Sequence, residues 1–153
     1  MKDLTLYKHQ FCNLHVKITN GQKMPNKAIL LISIIDLLNC GYLSSNQINF
    51  DDAIKEAFEL NWLKFINTKP PTVWTPFWHM KKEPFWHFCP ITSLDEIENL
   101  VKPGATASIG KMTKTIRYAY LDNELYNILK SFKERDDLYY ILVSTYISGK
   151  YSV

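Results

Sequence analysis

Two Pro-Phe-Trp-His runs, Pro76-Phe77-Trp78-His79 and Pro84-Phe85-Trp86-His87, stand eight residues apart with Lys81-Lys82-Glu83 between them. Imidazoles, ammonium groups and flat rings at such close spacing suit a partner that is both anionic and stackable, which points toward nucleic acid. Read as two strands joined by the polar Lys81-Lys82-Glu83 turn, the runs predict a β-hairpin. Side chains alternate along a strand, so Phe77 and His79 would share one face and Trp78 and Met80 the other. Trp78 and Trp86 read as core residues rather than stacking residues.

Two further stretches offer chemistry of the same kind. Pro25-Asn26-Lys27 opens an apolar helix, where orphan N–H groups and the helix dipole favour a phosphate. Ser108-Ile109-Gly110-Lys111-Met112-Thr113-Lys114 is hydroxyl-bearing and basic, and could follow a nucleic-acid backbone. The candidate contacts are therefore Asn26, Lys27, Thr75, Pro76, Phe77, His79, Lys81, Ser108, Lys111 and Lys114. Only two of the eighteen basic residues are arginines, Arg117 and Arg135. Lysine is a point charge suited to phosphates, whereas bidentate base reading usually falls to arginine. The balance favours backbone recognition.

Other chemistries are weaker. His79, His87 and Cys89 could meet across the expected hairpin, and His9, Cys12 and His15 recur every three residues. Neither set has an established zinc spacing, and no metal or other cofactor is expected. Cys12 with His15, or Cys89 with His87, could pair as nucleophile and base. No nucleophile elbow, phosphate loop or paired metal-nuclease carboxylates accompany them. A small metal-dependent nuclease using His79 and His87 is the enzymatic alternative, and a protein-interaction module docking through the aromatic hairpin is another. The chain in itself reads as a binding domain.

The elements that must position these residues follow from periodicity. Residues 4–18 carry a loose helical pattern ended by the Asn20-Gly21 turn. Pro25 opens a helix that Gly41 closes, and Ile29 to Leu38 is apolar in nearly every direction, as in a buried central helix. Residues 48–50 suggest a short strand, and Asp51 caps a helix bearing Ile54, Phe58, Trp62 and Phe65. Residues 94–101 read as a short acidic helix, 103–108 as a small-residue loop and 110–119 as a helix. Asp122 caps the next helix, and the last starts near Glu134. The fold class is α+β, mainly α, with a small antiparallel sheet. At 153 residues, 46% of them apolar, one domain spanning 1–153 is expected. Net charge is +3, three cysteines are unpaired by spacing, and neither a signal peptide nor a membrane span is visible. These features suit a cytoplasmic protein.

In order along the chain, these stretches resemble the DNA sulfur-binding domain of McrA-like restriction endonucleases. Pro25-Asn26-Lys27-Ala28-Ile29-Leu30-Leu31 is similar to that domain's Pro-His-Lys-x-Leu-Leu-Leu opening. Pro76-Phe77-Trp78-His79-Met80, with Phe85-Trp86-His87 trailing, is similar to its Pro-Phe-Trp element. Tyr118-Ala119-Tyr120-Leu121-Asp122-Asn123-Glu124-Leu125 is similar to its Tyr-Ala-x-Leu-Asp-x-Glu-Leu run. The resemblance covers roughly residues 20 to 148. It implies recognition of double-stranded DNA in which sulfur replaces a nonbridging phosphate oxygen, as part of a modification-dependent restriction system. By position, Thr75 and Pro76 would line the sulfur pocket, and Asn26, Lys27, Lys81, Ser108, Lys111 and Lys114 would hold the backbone. Asn26 stands where the family usually has histidine, and Thr75 where an aromatic residue is common. No HNH nuclease pattern is present, so the nuclease partner is expected in cis or in trans.

Overall fold

The computed structural model describes residues 1–91 and 109–147. The expected 94–101 helix, the 103–108 loop and Ser108 lie outside the described residues.

The centre of the molecule is the helix foreseen from its all-round apolar sequence. In chain order the elements begin with α1 (Leu4–Cys12), β1 (Ile18–Thr19), β2 (Gln22–Lys23) and α2 (Asn26–Asn39). Ala28, Ile29, Leu30, Ile32, Ile34 and Ile35 of α2 are all but inaccessible. Each of these leucine and isoleucine side chains contributes about 1.5–3 kcal/mol on burial. α3 (Asp52–Phe65) covers one flank with Ile54, Phe58 and Trp62, and the Asp51 carboxylate caps it by accepting from Ile54 N at 3.1 Å. α4 (Trp74–His79) and a 3₁₀ turn (Met80–Lys82) follow, then β3 (Trp86–Pro90). The rest comprises α5 (Ile109–Thr115), β4 (Ile116–Leu121), α6 (Asn123–Leu129) and α7 (Phe132–Tyr146). α7 packs on both α1 and α2. The class is α+β, mainly α, as expected.

The expected Pro-Phe-Trp-His hairpin does not form. The first run is helical: Pro76 takes the third position of α4, where its missing N–H leaves no intrahelical bond unmade. Phe77, Trp78 and Met80 are then all buried, Phe77 and Met80 in the main core and Trp78 in a smaller cluster with Met112 and Ile116. Only the second run extends, and β3 pairs antiparallel with β4, Trp86 opposite Leu121 and His87 opposite Tyr120. The helix expected over 110–119 accordingly stops at Thr115, because Ile116, Tyr118 and Tyr120 carry the period-two, β-branched and aromatic pattern of a strand. The strand expected at 48–50 is a single bridge from Ile48 to Ala119. α1 ends at Cys12 rather than near 18; Asn13 Nδ2 bonds His9 O at 2.8 Å, and Tyr146 Oη donates to Phe11 O at 2.6 Å. Burial, its main cause, pushes the Tyr146 phenol up to about 12.

Asp122 sits at the N-cap of α6 but makes no capping bond. Its carboxylate instead accepts from Tyr7 Oη at 2.8 Å and His87 Nε2 at 2.6 Å, with Lys2 Nζ 3.4 Å away. Burial alone would raise this carboxyl. The bonds from His87 and Tyr7 and the Lys2 charge outweigh it and hold the group below its ordinary value. One buried carboxylate thereby joins α1, β3 and the β4–α6 corner.

Candidate nucleic-acid interface

A cleft of about 410 Å³ opens at the amino end of α2. Three segments wall it: the α1–β1 connection with the antiparallel β1–β2 hairpin, the first turn of α2, and one side of α4 with the following turn. Pro76, Val16 and Met24 supply apolar surface, Asn26 and Thr75 polar groups, and Lys17, Lys82, His15 and His79 a basic rim.

The walls are tied together beneath the cleft. Lys27, in the first turn of α2, is buried and donates from Nζ to Glu83 Oε2 at 2.7 Å and to His15 O at 2.6 Å. Glu83 follows the 3₁₀ turn and is 2% exposed. Its carboxylate also accepts from His15 N at 2.9 Å and lies 3.2 Å from His15 Nδ1. A buried ion pair stands against its desolvation cost only when its remaining lone pairs and protons are satisfied, and here both partners have further bonds. Burial pulls the Lys27 ammonium below its ordinary value, opposed by Glu83.

With Lys27 neutralised by Glu83, the cleft's field comes mainly from its rim. Lys17 and Lys82 are exposed and make no ion pair among the described residues. Burial first, then the charges of Lys82, Lys27 and Lys81, lower the pKa of His79. At neutral pH its imidazole is therefore uncharged, in surroundings that favour an incoming anion. Asn26 Oδ1 is buried without a hydrogen-bond partner, an acceptor the fold leaves unmet.

Five of the sequence-predicted residues converge on this cleft: Asn26, Lys27, Thr75, Pro76 and His79. Phe77 does not; it is fully buried, tilted against Phe50 and edge-on to Trp74 and Trp86, and reaches no surface. Lys81 lies on the next face of the turn with Nζ 4.1 Å from the Trp78 ring centroid, and burial lowers its pKa. Lys111 and Lys114 are carried by α5, which packs through Met112 against Trp78 on that same side. His79 and His87 are not brought together: the first opens into the cleft and the second is bonded to Asp122. Among the described residues, no group of three His, Cys, Asp or Glu side chains could hold a metal ion.

Sequence reasoning missed His15, Val16, Lys17, Met24 and Lys82. The signal for four of them was Asn20-Gly21, where both residues have positive φ, 54° and 74°. That is the pattern of a two-residue hairpin turn. It turns β1 back on β2 and brings Lys17 beside Met24 at the cleft wall, with Met24 N bonded to Lys17 O at 2.9 Å.

No family model matches the chain, and no curated protein sequence does. Among solved structures, it matches the sulfur-binding domain of SprMcrA complexed with phosphorothioated DNA, with a TM-score of 0.68 over 97% of this chain and 88% of that one. Sequence identity is 15%, so the likeness is one of architecture: the chain has the fold of that sulfur-binding domain.

Proposed function

We propose that this chain is a binding module for phosphorothioate-modified double-stranded DNA, the recognition part of a modification-dependent restriction system. The observation that carries the reading is the juxtaposition in one cleft of the Pro76 ring, the amino end of α2 and Lys17 and Lys82, which make no ion pair among the described residues. Sulfur is larger and less strongly hydrated than oxygen. An apolar wall accepts it at little cost, whereas a phosphate oxygen against the same wall loses hydrogen bonds to water. Pro76 offers C–H groups and no N–H donor, with Val16 and Met24 extending the apolar surface. Asn26, Thr75, Lys17 and Lys82 hold the linkage and its neighbours, and the α2 dipole adds to their attraction. Lys81, Lys111 and Lys114 meet phosphates further along the duplex. Lys27 acts from beneath, by holding the walls in place.

The fold shared with a domain solved on phosphorothioated DNA supports the same reading. The chain itself performs no catalysis in this account. Cleavage belongs to an HNH nuclease acting in cis or in trans, in the cytoplasm, where the DNA is. Among the described residues, no helix is long and apolar enough to cross a membrane.

The test is binding to two short duplexes of one sequence at physiological salt, one carrying a single stereodefined phosphorothioate. A preference for sulfur of about tenfold, or about 1.4 kcal/mol, is expected. Pro76→Ala should lose most of that preference while keeping affinity for the plain duplex. Equal affinity of the wild-type chain for both duplexes would overturn the reading.

A further inference from the structure

The geometry points to a second recognition element: we propose that Thr19 and Gln22, on the cleft-facing side of the β1–β2 hairpin, read base edges beside the linkage seated in the cleft. The inference rests on the function proposed above and assigns the same site its sequence preference.

The hairpin register decides which side chains face the cleft. Thr19 lies opposite Gln22, and Ile18 opposite Lys23. One step inward, Lys17 stands beside Met24, and both line the cleft. Side chains alternate along a strand and opposed residues share a face. Lys17, Met24, Thr19 and Gln22 therefore share the cleft side, while Ile18 and Lys23 take the other. Lys23 corroborates this assignment. Its Nζ turns back to Cys12 O at 3.2 Å and lies 5.6 Å from the Tyr146 ring centroid.

Thr19 and Gln22 thus continue the cleft wall outward by two residues, about 7 Å of strand. That is about two nucleotide steps. Both are exposed, and neither side chain has a hydrogen-bond partner among the described residues. A glutamine amide matches the N6 and N7 edge of adenine in two bonds, and a threonine hydroxyl can serve any base. The hairpin carries no carboxylate to repel DNA and has Lys17 at its foot. A two-stranded ribbon fits the major groove. The turn at Asn20 and Gly21, both at positive φ, fixes the register of the hairpin.

The full chain would be titrated with modified duplexes that differ only in the base pairs one and two steps from the phosphorothioate. The wild-type chain should discriminate between the best and worst by about tenfold, the worth of one two-bond base contact. Gln22→Ala should reduce this to about twofold while leaving the sulfur-over-oxygen ratio unchanged. Thr19→Ala should give a smaller loss of the same kind. No discrimination by the wild-type chain, or undiminished discrimination by Gln22→Ala, overturns the inference. If the wild-type chain binds DNA without preferring sulfur, the functional reading fails, and the same comparison on unmodified duplexes judges the hairpin. Absence of binding to every duplex overturns both.

Discussion

The two ends of α2 are opposite chemical environments built on one helix. At the amino end lies the cleft of about 410 Å³, walled by Pro76 and rimmed by Lys17 and Lys82. At the carboxyl end is a hollow of about 210 Å³, where Asp36 and Asn39 of α2 face Phe132, Arg135, Asp136 and Tyr139 of α7. The smaller, coulombic causes of two shifts differ in sign between the ends. His79 is lowered by burial and then by lysines, whereas the Tyr139 phenol is raised by burial and then by Asp36 and Asp136. The helix dipole has the same sense, positive at Asn26 and negative at Asn39. Ten residues separate Asn26 from Asp36, about 15 Å along the axis. The contrast teaches where an anion can go: surface charge and backbone dipole agree at the amino end, and they agree against it at the other.

The largest effect expected from disturbing this polarity is on the fold. Lys27→Ala leaves Glu83 buried without its cation and should cost about 3–5 kcal/mol in urea unfolding. Replacing both at once, Lys27→Met with Glu83→Leu, should recover most of that loss. If the single change proves neutral in stability and lowers only DNA affinity, then Lys27 is a rim lysine after all. Next comes Lys82→Ala, which should weaken binding to modified and plain duplexes alike and reduce the slope of log affinity against log salt by about one. The matching change at the far end, Asp136→Asn, should leave DNA affinity within about twofold, since exposed charges beyond a Debye length of about 8 Å are largely screened. A comparable loss from both variants would erase the contrast between the ends.

The smallest effect concerns pH. His79 is lowered in the free chain, and a phosphate beside it raises it again. Affinity should therefore grow as pH falls through the bound value, and level off below the free value. His79→Gln should flatten the profile. The free chain follows the opposite sign. The unfolded imidazole binds its proton more readily, so the contribution of His79 to stability is present above about pH 6.5 and is lost as the solution is acidified through the folded value.

Where one local signal dominated, the sequence was a sound guide. The apolar run of α2 could only be a core helix, and Asp51 could only begin one. That Asn26, Thr75, Pro76 and His79 would share one surface was legible through their order along the chain and the resemblance it carries, and they line one cleft. The Pro-Phe-Trp-His runs misled because identical tetrapeptides take different structures in different neighbourhoods. Pro76 is tolerated in a first helical turn, while Trp86 and Phe88 find a partner strand in β4, more than twenty-five residues later. That pairing is non-local, and no periodicity within the runs could reveal it. Phe77 illustrates the cost of the error. Placed on a strand it shared a face with His79; on a helix it turns into the core. The Lys27–Glu83–His15 network was equally hidden, since its members are brought together only by the fold. Lys27 therefore looked like an exposed phosphate contact when its ammonium is a buried strut.

The central claim is that the modified linkage sits in the cleft at the amino end of α2. The chain's four methionines offer a direct test, because Met24 lines the cleft while Met80 and Met112 are fully buried elsewhere. With methyl-labelled methionine, a phosphorothioate duplex should move the Met24 methyl resonance strongly and leave Met80 and Met112 nearly still. The unmodified duplex should move Met24 less. Saturable DNA binding with Met24 unmoved would place the linkage somewhere other than the cleft and contradict the account.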